Sequence, residues 1–295
     1  MKVPRSPSEF VARLRNRSLS TAARAYLSLR LRLNGGPFLY DRCPIKLPFC
    51  GDGDAQEVEY YIHGKEWWES ECQNLSPYLT QGCVAIDAGA NHGFVSGILS
   101  TLTGATGRVY SFEPSPVTYA RLLTVIDANH YTNISPYNMA CGSVEGRMTL
   151  YCSENHSGHS TLRPEVSLDK AARKGQSAHK VNVQIVKLDD FLGPKLKRLD
   201  FMKLDVEGFE DEVLAGAVGL LREFKPVIYI ELCQQFLKSS HRAVSLLRGY
   251  GYAFDHESEL FNSPTGRDFF ALPPGFQARV QAAESVPGEA PAVVG

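Results

Sequence analysis

The chain has 295 residues, a formal net charge of −1, 43% hydrophobic residues and 21% charged residues. These values suit a globular protein and exclude a low-complexity or fibrous chain. They leave no global basic field, so nucleic acid is disfavoured as a partner. The seven cysteines are odd in number and contain no Cys-x-x-Cys pair. That argues against a disulfide framework or a thiolate zinc site and points to a reducing, cytoplasmic setting.

The charge is uneven along the chain. Residues 1–32 carry Lys2, Arg5, Arg13, Arg15, Arg17, Arg24, Arg30 and Arg32 against Glu9 alone. Such a segment suits a solvated surface helix, a targeting sequence, or a basic helix lying on anionic lipid. Peripheral membrane contact through residues 1–33 is therefore one expectation. Val11, Leu14, Leu19, Ala23, Tyr26, Leu27 and Leu31 recur at roughly helical spacing, which predicts a helix over 11–33. Asn34-Gly35-Gly36-Pro37 stops it, so residues 1–36 form a basic N-terminal unit.

Residues 37–80 read as a strand and helix extension. Leu47-Pro48-Phe49 and Glu57–Ile62 are predicted as short strands flanking the Gly51–Asp54 turn. A short helix then carries Trp67 and Trp68, suited to core or lid packing or to stacking on a sugar ring. No apolar run approaches the roughly 18 residues of a membrane span.

From residue 81 to 273 strands alternate with helices. Cys83–Asp87 is an apolar run ending in an acid, and a helix follows at Phe94–Leu102. Arg108–Glu113 is a second strand ending in an acid, followed by a helix at Val117–Asn129 and a third strand at Ile134–Ala140. Arg147–Cys152 and Lys180–Val186 pair as an inserted hairpin around the polar stretch Ser153–Gln176. Alternation resumes with strand Leu199–Asp205, helix Glu210–Phe224, strand Pro226–Glu231 and helix Phe236–Leu247. Tyr252–Asp255 and Asp268–Leu272 supply the last strands. This order implies parallel βαβ units. Residues 274–295 are rich in Ala, Pro and Gly and are predicted to be a disordered tail.

The loop Asp87-Ala88-Gly89-Ala90-Asn91-His92-Gly93 carries the first chemical signal. Glycines let the backbone turn tightly and a ligand approach it, and the following helix start offers N–H groups. The loop does not fit the dinucleotide fingerprint Gly-x-Gly-x-x-Gly. An acid at position 87 repels a pyrophosphate and attracts an ammonium. Glu113, at the end of the next strand, stands where an acceptor for ribose hydroxyls belongs. S-adenosylmethionine, with carboxylate, ammonium and ribose, matches that set, and an NAD dehydrogenase does not.

Three motifs in order, Ile86–Gly93, Val109–Pro114 and Met202-Lys203-Leu204-Asp205-Val206-Glu207-Gly208-Phe209-Glu210, resemble the FkbM family of methyltransferases. The resemblance spans about residues 84–232, including the Ser-rich segment near Ser157-Gly158-His159-Ser160. It implies an α/β fold with a Rossmann-like class I methyltransferase sheet. That sheet is mostly parallel and seven-stranded, with the last strand antiparallel; the inserted β-hairpin and the N-terminal α/β extension are added by the pattern of the residues, and residues 1–75 and 250–295 fall outside the resemblance. It implies S-adenosylmethionine as methyl donor and a hydroxyl of a sugar, glycan or natural product as acceptor. Position by position, Asp87, Gly89, Asn91 and Gly93 would line the methionine part, Glu113 would hold the ribose, and Asn138 and Ala140 would approach the adenine.

A hydroxyl acceptor needs its proton removed or its oxygen polarised. Asp205, Glu207, His156 and His159 are the candidates, with Asp205 placed first. Asp205, Glu207, Glu231 and one of His156 and His159 could gather a hard divalent ion, but no compact ligand motif supports one and no metal is assigned. The alternatives are an RNA or protein methyltransferase, for which the basic N-terminus speaks, and a non-catalytic cofactor-binding scaffold. The Asn-Pro-Pro-Tyr-type tetrad of amino-group methyltransferases is absent.

Overall fold

The computed structural model describes residues 21–40, 43–51, 54–153, 156–163, 178–261 and 266–276. The basic residues from Lys2 to Arg17, most of the predicted loop Ser153–Gln176 and the tail from 277 onward lie outside the described residues.

Seven strands form the central sheet, in the spatial order β11-β12-β10-β9-β3-β4-β5. They are β3 (Val84–Ala88), β4 (Arg108–Phe112), β5 (Ile134–Tyr137), β9 (Phe201–Leu204), β10 (Val227–Leu232), β11 (Ala253–Phe254) and β12 (Arg267–Leu272). All neighbouring pairs are parallel except those made by β12, which runs antiparallel to both β10 and β11. β3, β9 and β10 are apolar because helices cover both faces of a parallel sheet. β5 is an edge strand and tolerates Pro136, whose missing N–H breaks no inner ladder. The chain leaves β3 toward β4 and β5, then returns on the other side through β9. The resulting crevice beyond the carboxyl ends of β3 and β9 is the topological switch point, where such sheets bind ligands.

The N-terminal elements share a core with this sheet. A helix α1 over 21–33 is followed by the antiparallel pair β1 (Phe38–Tyr40) and β2 (Leu47–Phe49) and by α2 (Ala55–Leu75). Leu27, Tyr40 and Trp68 belong to one buried cluster with Ala85, Phe94 and Phe201. The strand predicted over Glu57–Ile62 is instead the first turns of α2. Its aromatic and β-branched residues favour a strand locally, but burial recurs at Tyr60, Gly64, Trp68 and Cys72, every fourth residue. Asp54 caps the helix by accepting from the Gln56 N–H at 3.0 Å. Trp68 packs against Phe94 inside the core, while Trp67 lies edge-on to Tyr60 at the surface.

Two boundaries also differ from the sequence reading. The third strand stops at Tyr137, and Ala140–Cys141 (β6) joins a second sheet of order β6-β8-β7. Its other members are β7 (Gly146–Ser153) and β8 (Ala178–Val186), the expected antiparallel hairpin. The helix expected over Glu210–Phe224 is two, Glu210–Ala215 and Val218–Phe224. The break falls at Gly216, where a Cβ would lie 1.9 Å from the Gly142 carbonyl oxygen. That close approach lets the chain just after β6 sit against the junction of the two helices.

α3 (Phe94–Thr103) packs against β3 and β4, and α4 (Pro116–Ala128) packs against β5 and β2. Arg121 of α4 is buried and reaches α2, pairing with Asp54 at 2.5 Å and with Glu57 at 3.5 Å. Glu57 is fully buried and accepts the Cys50 and Gly51 N–H groups. Removing one partner of a buried ion pair strands the other charge. Arg121→Met is therefore expected to lower unfolding free energy by about 3–5 kcal/mol, measured by urea denaturation.

Candidate functional site

A cavity of about 300 Å³ opens at the switch point. One half of its wall is built by the loop after β3 and the ends of β4 and β6: Gly89, Asn91, Glu113, Met139 and Ala140. The other half comes from four separate segments: Gln56 and Tyr60 of α2, the insert from His156 to Ser160, Lys203 to Glu207 after β9, and Glu231 to Phe236 after β10.

The loop after β3 is held on both sides. The Gly89 and Ala90 N–H groups donate to the Phe112 carbonyl, and Lys203 Nζ donates to the Gly89 carbonyl at 3.1 Å. Gly89 has φ +82°, and a Cβ there would lie 1.8 Å from the Asp205 carbonyl oxygen. Only glycine lets the β3 and β9 ends approach so closely. Asn91 also adopts a left-handed conformation, φ +50°. Its N–H donates to Glu113 at 3.0 Å, and its Oδ1 is buried with no hydrogen-bond partner.

The predicted residues separate into two groups. Gly89, Asn91, Glu113, Ala140, Asp205, Glu207, His156 and His159 all line the cavity. Asp87, Gly93 and Asn138 stand behind it. Asp87 is fully buried and accepts from the Ser96 hydroxyl at 2.6 Å. Its Oδ1 lies 3.6 Å from Lys203 Nζ. Gly93 caps α3 with φ +88°, pressed against Leu122. Asn138 donates to the Glu113 and Pro114 carbonyls at 2.9 and 3.1 Å and so braces the acid rather than the cavity.

Charge is arranged in opposition across the site. Lys203 is buried beside Asp87 and pairs with Asp205 at 3.1 Å. Burial opposes its charge, but Asp205 and Asp87 outweigh that and hold the ammonium well above the usual lysine range. Asp205, Glu207 and Glu231 bring carboxylate oxygens within 4.8 Å of one another, the set the sequence suggested for a hard ion. Burial first, then Asp205 and Glu207, push Glu231 up to about 10. Glu207 sits in a turn with φ +53°, and the insert clamps that turn. Thr161 donates to the Glu207 carbonyl at 2.8 Å and Arg163 to the Gly208 carbonyl at 2.5 Å. Glu210 closes the same turn by accepting the Val206 and Gly208 N–H groups.

The insert reaches across to α2. Ser157 N–H donates to Asp54 at 3.1 Å, and its hydroxyl meets His92 Nε2 at 3.1 Å. Burial opposes the Asp54 charge, yet His92 and the Ser157 and Gln56 N–H groups hold its carboxyl far below the usual range. His156 and His159 stack with centroids 4.0 Å apart. His156 Nε2 faces Glu59 Oε2 at 3.3 Å, while its Nδ1 is buried without a hydrogen-bond partner. The bond with His156 is the main reason the Glu59 carboxyl lies below its usual range, against its burial.

Sequence reasoning missed Glu59, Gln56 and Tyr60, because it read their segment as strand. The Asp54 cap was the signal that could have exposed the helix. It also quoted Lys203 within a motif without giving it a role, though a lysine inside a strand that must be buried on both faces is conspicuous.

The model of the FkbM methyltransferase domain matches residues 87–254. The chain is 28% identical over 208 residues to Methyltransferase 1 of Beauveria bassiana (strain ARSEF 2860), covering 67% of this chain and 82% of that protein. It is 31% identical over 184 residues to Methyltransferase sdnD of Sordaria araneosa, covering 54% and 70%. The crystal structure of Methyltransferase FkbM from Methylobacillus flagellatus KT overlaps with a TM-score of 0.44 at 16% identity, covering 75% of this chain and 60% of that one.

Glu113 yields a pH prediction. Burial raises its carboxyl from 4.5 to about 7, against the N–H groups of Ser115 and Asn91. Between those values the folded state binds more protons than the unfolded state, so this contribution to stability falls as pH rises. Glu113→Gln is expected to flatten the decline in unfolding free energy between about pH 5 and pH 7 by about 2 kcal/mol, read from denaturant titrations.

Proposed function

The chain belongs to the FkbM family of S-adenosylmethionine-dependent methyltransferases, and from that premise we propose that it methylates a hydroxyl of a small polyhydroxylated acceptor, a sugar, glycan or natural product. The observation that carries this reading is the Glu59–His156 pair, whose imidazole lines the cavity. With Nε2–H donating to Glu59, the lone pair of His156 sits on Nδ1, a buried atom with no hydrogen-bond partner. An imidazole oriented by a carboxylate is built to take a proton.

The donor half of the cavity fits the methyl donor. The carboxylate of Glu113 matches a ribose diol, and the orphaned Oδ1 of Asn91 accepts from an ammonium. Asp87 adds negative charge from behind the loop, and Gly89 gives the ligand room at the backbone. Ala140 and Met139 offer apolar surface to an adenine, with Asn138 bracing Glu113 from outside. When bound, S-adenosylmethionine supplies a methyl group made electrophilic by its sulfonium.

The chain then acts on the acceptor. Asp205 and Glu207 hold its neighbouring hydroxyls, with Lys203 compensating Asp205. The reacting hydroxyl gives its proton to His156 Nδ1 as its oxygen takes the methyl group, and Glu59 supports the imidazolium formed. His159 stacks beneath His156 and fixes the ring plane. Positioning supplies the larger share of the rate, because the displacement is in-line.

His156→Ala and Glu59→Gln are expected to lower kcat about 100-fold while leaving S-adenosylhomocysteine affinity unchanged. Glu113→Ala and Asp87→Ala are expected to weaken that affinity about tenfold or more, by calorimetry. Full turnover in both His156→Ala and Glu59→Gln would remove the proton-acceptor role. Unchanged affinity in both Glu113→Ala and Asp87→Ala would remove the donor-site assignment. If RNA rather than polyhydroxylated small molecules accepts radiolabelled methyl groups, the acceptor class is wrong.

A further inference from the structure

Helix α1 presents two apolar faces, and among the described residues one is buried in the core while the other stays exposed, with the Tyr26 ring 5.9 Å from that of Tyr61. Ala23 and Leu27 are buried in the core shared with α2 and the sheet. Ala22, Tyr26, Leu29 and Leu33 follow an i, i+4, i+7, i+11 spacing and fall within about 60° of arc on a different side. All four are exposed, Leu29 at 55% and Leu33 at 75%. On the same helical projection Arg30 flanks this stripe on one side and Arg32 on the other. The Arg30 guanidinium rests 4.8 Å from the centre of the Phe38 ring, which fixes its stem beside the stripe.

We propose that this stripe is a docking surface for an anionic lipid bilayer, with Tyr26, Leu29 and Leu33 entering the headgroup boundary and the flanking arginines meeting phosphates. An apolar face edged by cations is the signature of a helix that lies in a membrane interface. Charge selects this occupant over the others. Residues 1–32 hold eight basic residues against one acid. A second copy would bring the same cations against Arg30 and Arg32. The chain's own residues 1–20 carry five of those eight, so folding them back over the stripe repeats the conflict. Among the described residues no helix is long and apolar enough to cross a membrane, so the contact is peripheral. The inference is independent of the acceptor chemistry.

The full chain is tested by sedimentation with phosphatidylcholine vesicles, with and without phosphatidylglycerol. Binding is expected only to the anionic vesicles and is expected to weaken with added salt. Leu29→Glu with Leu33→Glu, and separately Arg30→Gln with Arg32→Gln, are each expected to weaken it about tenfold or more. S-adenosylhomocysteine binding should be unchanged in both double variants, which shows that they fold. The proposal is overturned if anionic vesicles are not bound, or if both double variants bind them as the parent does. It is equally overturned if light scattering shows that the leucine variant splits a dimer, which would assign the stripe to a second copy. If binding to the vesicles survives in the leucine variant while salt abolishes it, the contact is electrostatic alone and the insertion is wrong.

Discussion

The cavity depends on one buried polar knot. Arg121 comes from α4, Asp54 and Glu57 from the start of α2, and His92 from the loop after β3. None of these groups can be buried alone, because an isolated charge in a low-dielectric interior costs several kcal/mol. Each therefore fixes the others. The consequence reaches beyond stability. Asp54 also receives the Ser157 N–H, and His92 meets the Ser157 hydroxyl, so the knot joins α2, the donor loop and the insert at one point. The three walls that must converge on a ligand are tied together a few ångströms behind it.

Lys203 performs the corresponding task on the opposite side. It projects from β9 between Asp87 at the end of β3 and Asp205 just past its own strand. Its ammonium also holds the Gly89 carbonyl. One cation thus neutralises an acid buried behind the loop after β3 and an acid that lines the cavity. The remaining acids of that region respond to the crowding by keeping protons. Burial pushes Asp268 up to about 7 and Glu210 up to about 8, and Glu231 goes further.

Much of this was legible in the sequence, and the failures have physical causes. The alternation of strands and helices and the hairpin follow from periodicity and turn chemistry, which are local, whereas the reversed last strand came from the family resemblance alone. The acids at Asp87, Glu113, Asp205 and Glu231 mark strand ends for the same reason. What periodicity does not carry is which way an acid points. Asp87 and Glu113 each follow an apolar run, yet one turns inward to Ser96 and the other lines the cavity. The greater loss was α2, where Glu57–Ile62 has the composition of a strand and the packing of a helix. Glu59 meets His156 across 97 residues of chain, and a partnership of that kind leaves no mark on either neighbourhood.

The second sheet has a consequence for how such a site diversifies. Ala140 and Cys141 lie directly across from Ile185 and Val186 in parallel register. The excursion between them begins and ends at adjacent points, like a pocket sewn shut at its hem. Closing a loop grows harder only with the logarithm of its length, about 0.6 kcal/mol for each doubling. The chain on either side of Ser157 and Thr161 can therefore lengthen or shorten while the strands beneath keep their spacing. A graft at this hem would have to carry with it the partners of Ser157 and Thr161, because those bonds join the excursion to α2, to the loop after β3 and to the turn after β9.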